Sequence, residues 1–169
     1  MSVDPLPVSI RRVTSADVQA LAELVAALAR HEGKDTTARV TAATVAGWLF
    51  GPEPVCEALL AELDGRPAGY VAYYLGFSLF RGGAVLLVEN LYVADAARGY
   101  GLGRRLIAAA AAEARRRGIG RIEIHVRGDS QSARAFYEHL GIAETGEFVY
   151  RIEDEALAAI AAGDGESTA

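Results

Sequence analysis

A carboxylate inside an apolar run and a glycine-rich turn shortly after it are the parts of this sequence whose types and spacing could do chemistry. The carboxylate is Glu89, within the near-continuous apolar stretch of residues 85–93. An acid in such a run is costly to bury without a purpose. A carboxylate there can attract a cation and take up a proton. The turn reads Arg98-Gly-Tyr-Gly-Leu-Gly103 and stands between that run and an alanine-rich helix. Glycines let a backbone turn sharply and approach a ligand closely. Several N–H groups then point outward at a helix N-terminus, where the dipole favours anions, so the turn suits a phosphate or pyrophosphate. Arg98 and Arg104 add charge beside it.

A dinucleotide-binding turn would need Gly-x-Gly-x-x-Gly directly after the strand. Here Arg104 takes the third glycine position counted from Gly99, and residues 94–98 intervene. Glu123 lies at the separation of a ribose-binding acid, yet it falls inside the next strand and not at its end. The spacing favours the pyrophosphate of an acyl-CoA over a dinucleotide or a purely structural turn.

Other chemistries find little support. His31, His125 and His139 are scattered, and His31-Glu32 is followed by Asp35 where a zincin would place its second histidine, so no metal is expected. Cys56 is the single cysteine, which rules out an internal disulfide, and no Gly-x-Ser-x-Gly elbow occurs. The net charge of −5 argues against a nucleic-acid partner. Arg115-Arg116-Arg117 is read as a helix end before Gly118, where cations complement the dipole. Arg127-Gly128-Asp129 spells an adhesion tripeptide at a strand-to-helix junction and is read as a chance match. No apolar run approaches the ~20 residues of a membrane helix, and the first residues lack the basic and apolar regions of a secretory leader. A cytoplasmic protein without a membrane partner is expected.

The elements that must position these residues follow from periodicity. The 169 residues, 51% of them hydrophobic, fit one domain, with 163–169 as a frayed tail. Residues 8–13 read as a strand. Thr14 to Asp17 is a capping-box start for a helix whose stripe is Val18, Leu21, Ala22, Val25, Leu28 and Ala29, ended by Gly33. Thr41 caps a second helix stopped by Gly51-Pro52. Strands at 57–63 and 68–77 flank an Asp64-Gly65 hairpin signal. The apolar run at 85–93 is expected to be a strand buried on both faces. A helix over 102–117, a strand over 120–127, a helix over 130–140, a late strand over 143–152 and a helical turn at 156–161 complete the chain. Three consecutive strands exclude a simple doubly wound sheet, so the class is mixed α/β.

Val88-Glu-Asn-Leu-Tyr-Val93 followed by Arg98-Gly-x-Gly-x-Gly103 resembles the signature of the GNAT acyltransferase superfamily. Ala133-Arg-Ala-Phe-Tyr-Glu-His-Leu-Gly141 resembles its second signature. Leu28-Ala-Arg-His-Glu32 and Ala72-Tyr-Tyr74 are similar to the diamine (spermidine/spermine) N-acetyltransferase branch, whose relatives include enzymes for thialysine and other lysine-like amines.

The resemblance implies a mostly antiparallel sheet with a splayed central strand pair flanked by helices, acetyl-CoA as co-substrate, a small-molecule amine as acceptor, and a homodimer. It places Leu91, Tyr92 and Val93 on the pantetheine arm, and Arg98, Gly99, Tyr100, Gly101, Leu102, Gly103 and Arg104 around the pyrophosphate. Ser130, Ala133 and Phe136 complete the cofactor side. Glu89 matches the base that deprotonates the amine, directly or through water. Tyr137 matches the acid that protonates the leaving thiolate, and a strand N–H near Leu91 would stabilise the oxyanion. His31, Glu32, Glu89 and Asn90 line the amine site. Direct transfer in a ternary complex is expected, without an acyl-enzyme. Asn90, Ser130 and Glu147 depart from the branch, which has Asp, Asn and Trp there. These departures leave the acceptor open among a diamine, a lysine-like amine, another amine metabolite and a protein amine. A non-catalytic acyl-CoA sensor is the alternative of another class.

Overall fold

The structure is a computed structural model that describes residues 6–34, 40–147 and 149–162. It comprises two compact units, 1–130 and 131–169. The first contains β1 (Val8–Arg12), a 3-10 turn at Ser15–Asp17, α1 (Val18–His31), α2 (Ala42–Phe50), β2 (Glu57–Leu63), β3 (Arg66–Ser78), β4 (Gly83–Val93), a second 3-10 turn at Asp95–Ala97, α3 (Leu102–Arg116) and β5 (Ile122–Ile124). The sheet runs in the order β1-β2-β3-β4-β5. Its first three pairings are antiparallel, and β5 joins β4 in parallel after the α3 crossover. The mixed, mostly antiparallel class is as expected.

Local chemistry sets the elements. Asp64 and Gly65 both have positive φ, 53° and 70°, the signature of a type I′ turn whose twist matches that of its flanking strands. The Asp17 carboxylate accepts the Thr14 backbone N–H at 2.8 Å, so the capping box before α1 forms as its sequence indicates. Arg11 of β1 grips the same carboxylate at 2.7 and 2.8 Å and reaches Glu62 of β2 at 2.6 Å, tying the start of α1 to the sheet edge. Thr41 caps α2, accepting the Thr44 N–H at 3.2 Å.

Two buried layers sandwich the sheet. On one face Leu59, Ala61, Val71, Tyr73, Leu86 and Val88 pack with Leu102, Leu106, Ala110 and Ala114 of α3. On the other Ala58, Leu60, Tyr70 and Tyr92 pack with Leu21, Ala22 and Leu24 of α1 and Val45 of α2.

The second unit contains α4 (Gln131–His139) and α5 (Asp154–Ala162). The late strand expected over 143–152 is absent from its described residues, and α5 is longer than expected. Gly146 takes φ 73° and the Thr145 hydroxyl accepts the Glu147 N–H at 3.3 Å, a local turn that breaks an extended run. β5 is also shorter than the 120–127 expected. The tail at 163–169 lies outside the described residues.

Candidate active site

Glu89 owes its position to a β-bulge. Ala72 pairs with Asn90 and Tyr73 with Val88, so Glu89 opposes no residue of β3. The extra residue reverses the inside–outside alternation of β4. Leu86 and Val88 face α3 before it, and Leu91 and Val93 face α3 after it, while Tyr92 packs on the α1 side. Bulges re-aim side chains and end pairing, and both happen here. The buried carboxylate expected at this position is corrected: Glu89 is exposed on its bulge, although Val88 and Tyr92 near it are buried.

Pairing with β5 stops at the same place. The register covers Leu86 to Val88, and the His125 N–H reaches the Val88 carbonyl at 3.5 Å. Beyond it β4 runs on through Asn90, Leu91 and Tyr92 to Val93 with no β5 partner in the register. A strand edge left open over these residues offers backbone donors and acceptors to an extended ligand. This is the geometry that a splayed strand pair requires.

The open edge leads through Asp95–Ala97 into the glycine turn. Gly99 and Gly101 have φ of 87° and 74°, and Gly101 is the left-handed residue on which α3 begins. A Cβ on either would meet nothing within 4 Å, so it is the backbone conformation that calls for glycine here, and not a lack of space. Arg98, Tyr100 and Arg104 are exposed, Gly103 is half-buried, and Leu102 is buried as the anchor of α3. The Arg98 guanidinium is drawn back to Asp95 at 2.7 Å and to the Val93 carbonyl at 3.4 Å, so Arg98 braces the turn from behind.

On the α1 side, His31 and Glu32 stand where α1 ends. Gly33 (φ 68°) lets its own N–H reach the Arg30 carbonyl and the Lys34 N–H reach that of Ala29, which fixes the helix exit. The His31 ring lies 6.5 Å from that of Tyr92, so α1 brings it over β4. Glu32 pairs with Lys34 at 2.7 Å. Between these groups lies Tyr70 of β3, fully buried, its hydroxyl 3.5 Å from the Asn90 side-chain oxygen. Burial pushes its phenol up most, and the carboxylates of Glu32 and Glu89 push it further. His31, Glu32, Glu89 and Asn90 are thus brought to one face, with Tyr70 at their centre. Tyr70 was not among the candidates expected from sequence. Its one sequence signal is indirect: two polar residues in succession, Glu89-Asn90, with apolar residues on both sides, announce the bulge that brings Asn90 opposite β3.

Cys56 is half-buried, and burial first, then Glu57 and Glu89, hold its thiol above the usual range. A thiol of this kind is a poor nucleophile. Ser130 donates its N–H to the Arg127 carbonyl at 3.0 Å, and Arg127 pairs with Asp129 at 2.6 Å, so the adhesion-like tripeptide is a self-bonded turn. Among the described residues no group of three or more His, Cys, Asp or Glu stands together to hold a metal. No described helix is long and apolar enough to cross a membrane.

In the second unit, Ala133, Phe136 and Tyr137 lie half-buried along α4. The rings of Phe136 and Tyr137 meet edge to face at 5.1 Å. The Tyr137 carbonyl accepts the N–H groups of Leu140 and Ile142, each at 3.0 Å, which places the tyrosine in the closing turn of α4 before Gly141. Burial pushes the phenol up to about 12.

Residues 19–142 match the model of the Acetyltransferase (GNAT) family. The chain belongs to that family and is an acetyltransferase. It is 26% identical over 166 residues to the thialysine N-epsilon-acetyltransferase of Bos taurus, covering 91% of this chain and 97% of that one. This relative agrees with the resemblance to the diamine branch. Among solved structures, an integron cassette protein from the mobile metagenome of V. cholerae superposes with a TM-score of 0.77 at 22% identity, over 91% of this chain and 97% of that one. AAC(6')-Iy, solved with a bisubstrate analogue, CoA-S-monomethyl-acetylneamine, superposes with a TM-score of 0.72 at 16% identity, over 88% and 99%.

Proposed function

We propose that this protein transfers an acetyl group from acetyl-CoA to the primary amine of a small molecule, a polyamine, diamine or lysine-like amine, by direct attack in a ternary complex. The observation that carries the reading is the bulge at Glu89, which ends the β4–β5 pairing and sets a carboxylate beside the open edge of residues 89–93. That edge suits a pantetheine arm, with Leu91, Tyr92 and Val93 as its backbone partners. The turn over residues 98–104 suits a pyrophosphate, because its glycines free N–H groups at the N-terminus of α3. Ser130, Ala133 and Phe136 complete the cofactor side. An aminoglycoside acetyltransferase solved with CoA shares the fold, which supports the choice of co-substrate. We read both compact units as one acetyltransferase domain.

Acetyl-CoA, when bound, supplies an activated acyl group for a neutral amine. An alkylamine with pKa near 10 arrives protonated, so its nitrogen must first lose a proton. Glu89 attracts the ammonium and accepts that proton at its carboxylate, directly or through water. The N–H near Leu91 donates to the oxygen on which negative charge grows. Tyr137 holds its proton through the working pH range and gives it to, or hydrogen-bonds, the departing sulfur. Glu32 and His31 line the acceptor side, where Glu32 can take a second ammonium in place of Lys34. The similarity to thialysine N-epsilon-acetyltransferases supports a lysine-like acceptor. A cytoplasmic homodimer working without a metal, a membrane or a nucleic-acid partner completes the proposal.

The test is acetyl-CoA-dependent thiol release across putrescine, spermidine, spermine, thialysine, lysine, aminoglycosides and a peptide with a free N-terminus. A preferred small amine supports the reading. Preference for the peptide would move it to protein acetylation. Tight acetyl-CoA binding with no turnover on any amine would point to an acceptor outside the panel or to a sensor.

A further inference from the structure

The bulged Glu89 has no partner on β3, so the ladder does not hold its peptide in place. Two side-chain contacts meet that need. The Asn90 amide nitrogen donates to the Glu89 carbonyl at 2.8 Å, holding the peptide of the bulged residue itself. The amide oxygen of the same side chain faces the Tyr70 hydroxyl at 3.5 Å. Tyr70 is 0% exposed and sits in the α1-side core with Leu21, Leu60 and Tyr92, so its ring cannot drift. A buried hydroxyl needs a partner, and among the described residues no buried side-chain polar atom lacks one. Asn90 is the partner the geometry supplies. The chain of contact runs from a rigid core ring, through one amide, to the backbone that carries the carboxylate.

We propose that Tyr70 is the positioning residue of this active site, fixing Glu89 through Asn90 so that its carboxylate meets the incoming amine. Asn suits the middle place because its side chain can donate at one end and accept at the other. An aspartate there could accept from Tyr70 but could not donate to the Glu89 carbonyl. Tyr70 itself is sealed from solvent and acts through its neighbour. Misplacing a reacting group by about 1 Å can lower a rate on the order of a hundredfold.

This inference rests on Glu89 being the base, so the experiment separates the two. Tyr70→Phe, Asn90→Ala, the double variant and Glu89→Gln are assayed beside the wild type on its preferred amine, with thermal melting as a control for folding. Tyr70→Phe and Asn90→Ala should each lower kcat about tenfold. KM for acetyl-CoA should stay within about twofold, and the double variant should be no slower than either single one. A merely structural role would lower the melting temperature and leave kcat per folded molecule unchanged. Wild-type kcat in Tyr70→Phe overturns the proposal, as do single losses that multiply in the double variant. If Glu89→Gln is slow and Tyr70→Phe is not, the positioning role alone falls. If Glu89→Gln turns over normally, the base assignment falls and this inference falls with it.

Discussion

At the scale of single residues, two side chains carry the proposed proton traffic and their surroundings differ. Glu89 is exposed on a bulge, while Tyr137 is half-buried on α4. Replacing Glu89 by Gln keeps the shape and removes the base, and kcat should fall about a hundredfold, measured by thiol release. Burial pushes the Tyr137 phenol up to about 12, so the donor form persists as pH rises and is lost only as pH passes that value. The pH–rate profile should therefore show no basic limb from Tyr137 up to about pH 11, and Tyr137→Phe should lower kcat about a hundredfold across that whole range. Glu89 stands out in the sequence as an acid in an apolar run, whereas Tyr137 is proposed from the resemblance of residues 133–141 to the second family signature. Tyr70 was not legible. An aromatic residue in an apolar strand reads as core, and it is core; only the hydroxyl's bond to the Asn90 side-chain oxygen shows what it faces.

At the scale of elements, the glycine turn and the bulge do the positioning, and they were legible to different degrees. Residues 98–103 announce their turn through composition, and the structure has Gly99 and Gly101 at positive φ. Gly101→Ala would meet no neighbour but would force a left-handed residue at the start of α3, at about 1–2 kcal/mol. Relief of that strain should reshape the turn and weaken acetyl-CoA binding several-fold by calorimetry, with the amine KM little changed. The bounds of β2 were read in full from β-propensity and the Asp64-Gly65 signal. The late strand expected over residues 143–152 is interrupted by the turn at Thr145–Glu147. Strand pattern without a ladder to join is a weak signal.

At the scale of the molecule, one ionic cluster joins three elements of the first unit. Glu113 of α3 is 9% exposed and takes bonds from Arg12 of β1, from Arg116 at 2.6 Å and from Arg117 at 2.5 Å. Arg117 also grips Glu57 of β2 at 2.6 Å through both amino groups. Arg116 and Arg117, in the arginine run before Gly118, thus bond to carboxylates of their own protein. The Arg116 bond, followed by those from Arg12 and Arg117, overcomes burial and holds the Glu113 carboxyl at about 2. Its folded value is below the ordinary one of about 4.3, so its contribution is present above that value and fades as pH falls from about 4.5 to 2. Glu57, Glu62 and Asp17 are lowered as well and fade in the same direction. Stability should decline steeply below about pH 4.5, followed by urea melts. Glu113→Gln should lose about 2 kcal/mol at pH 7 and show a shallower acid decline, the figure kept small because Arg12 and Arg116 are largely exposed.

This cluster has a further consequence for α3, which is fastened at its last turn and ends, at its first, in the glycine turn. Deuterium from solvent should enter the two ends of this one helix at very different rates. Amides near Ala114 should exchange with the slow core, and those just after Gly101 within a small fraction of that time. A cofactor that settles on the turn should then slow exchange at the first end and leave the second as it was, so that binding is recorded as a gradient along a single helix.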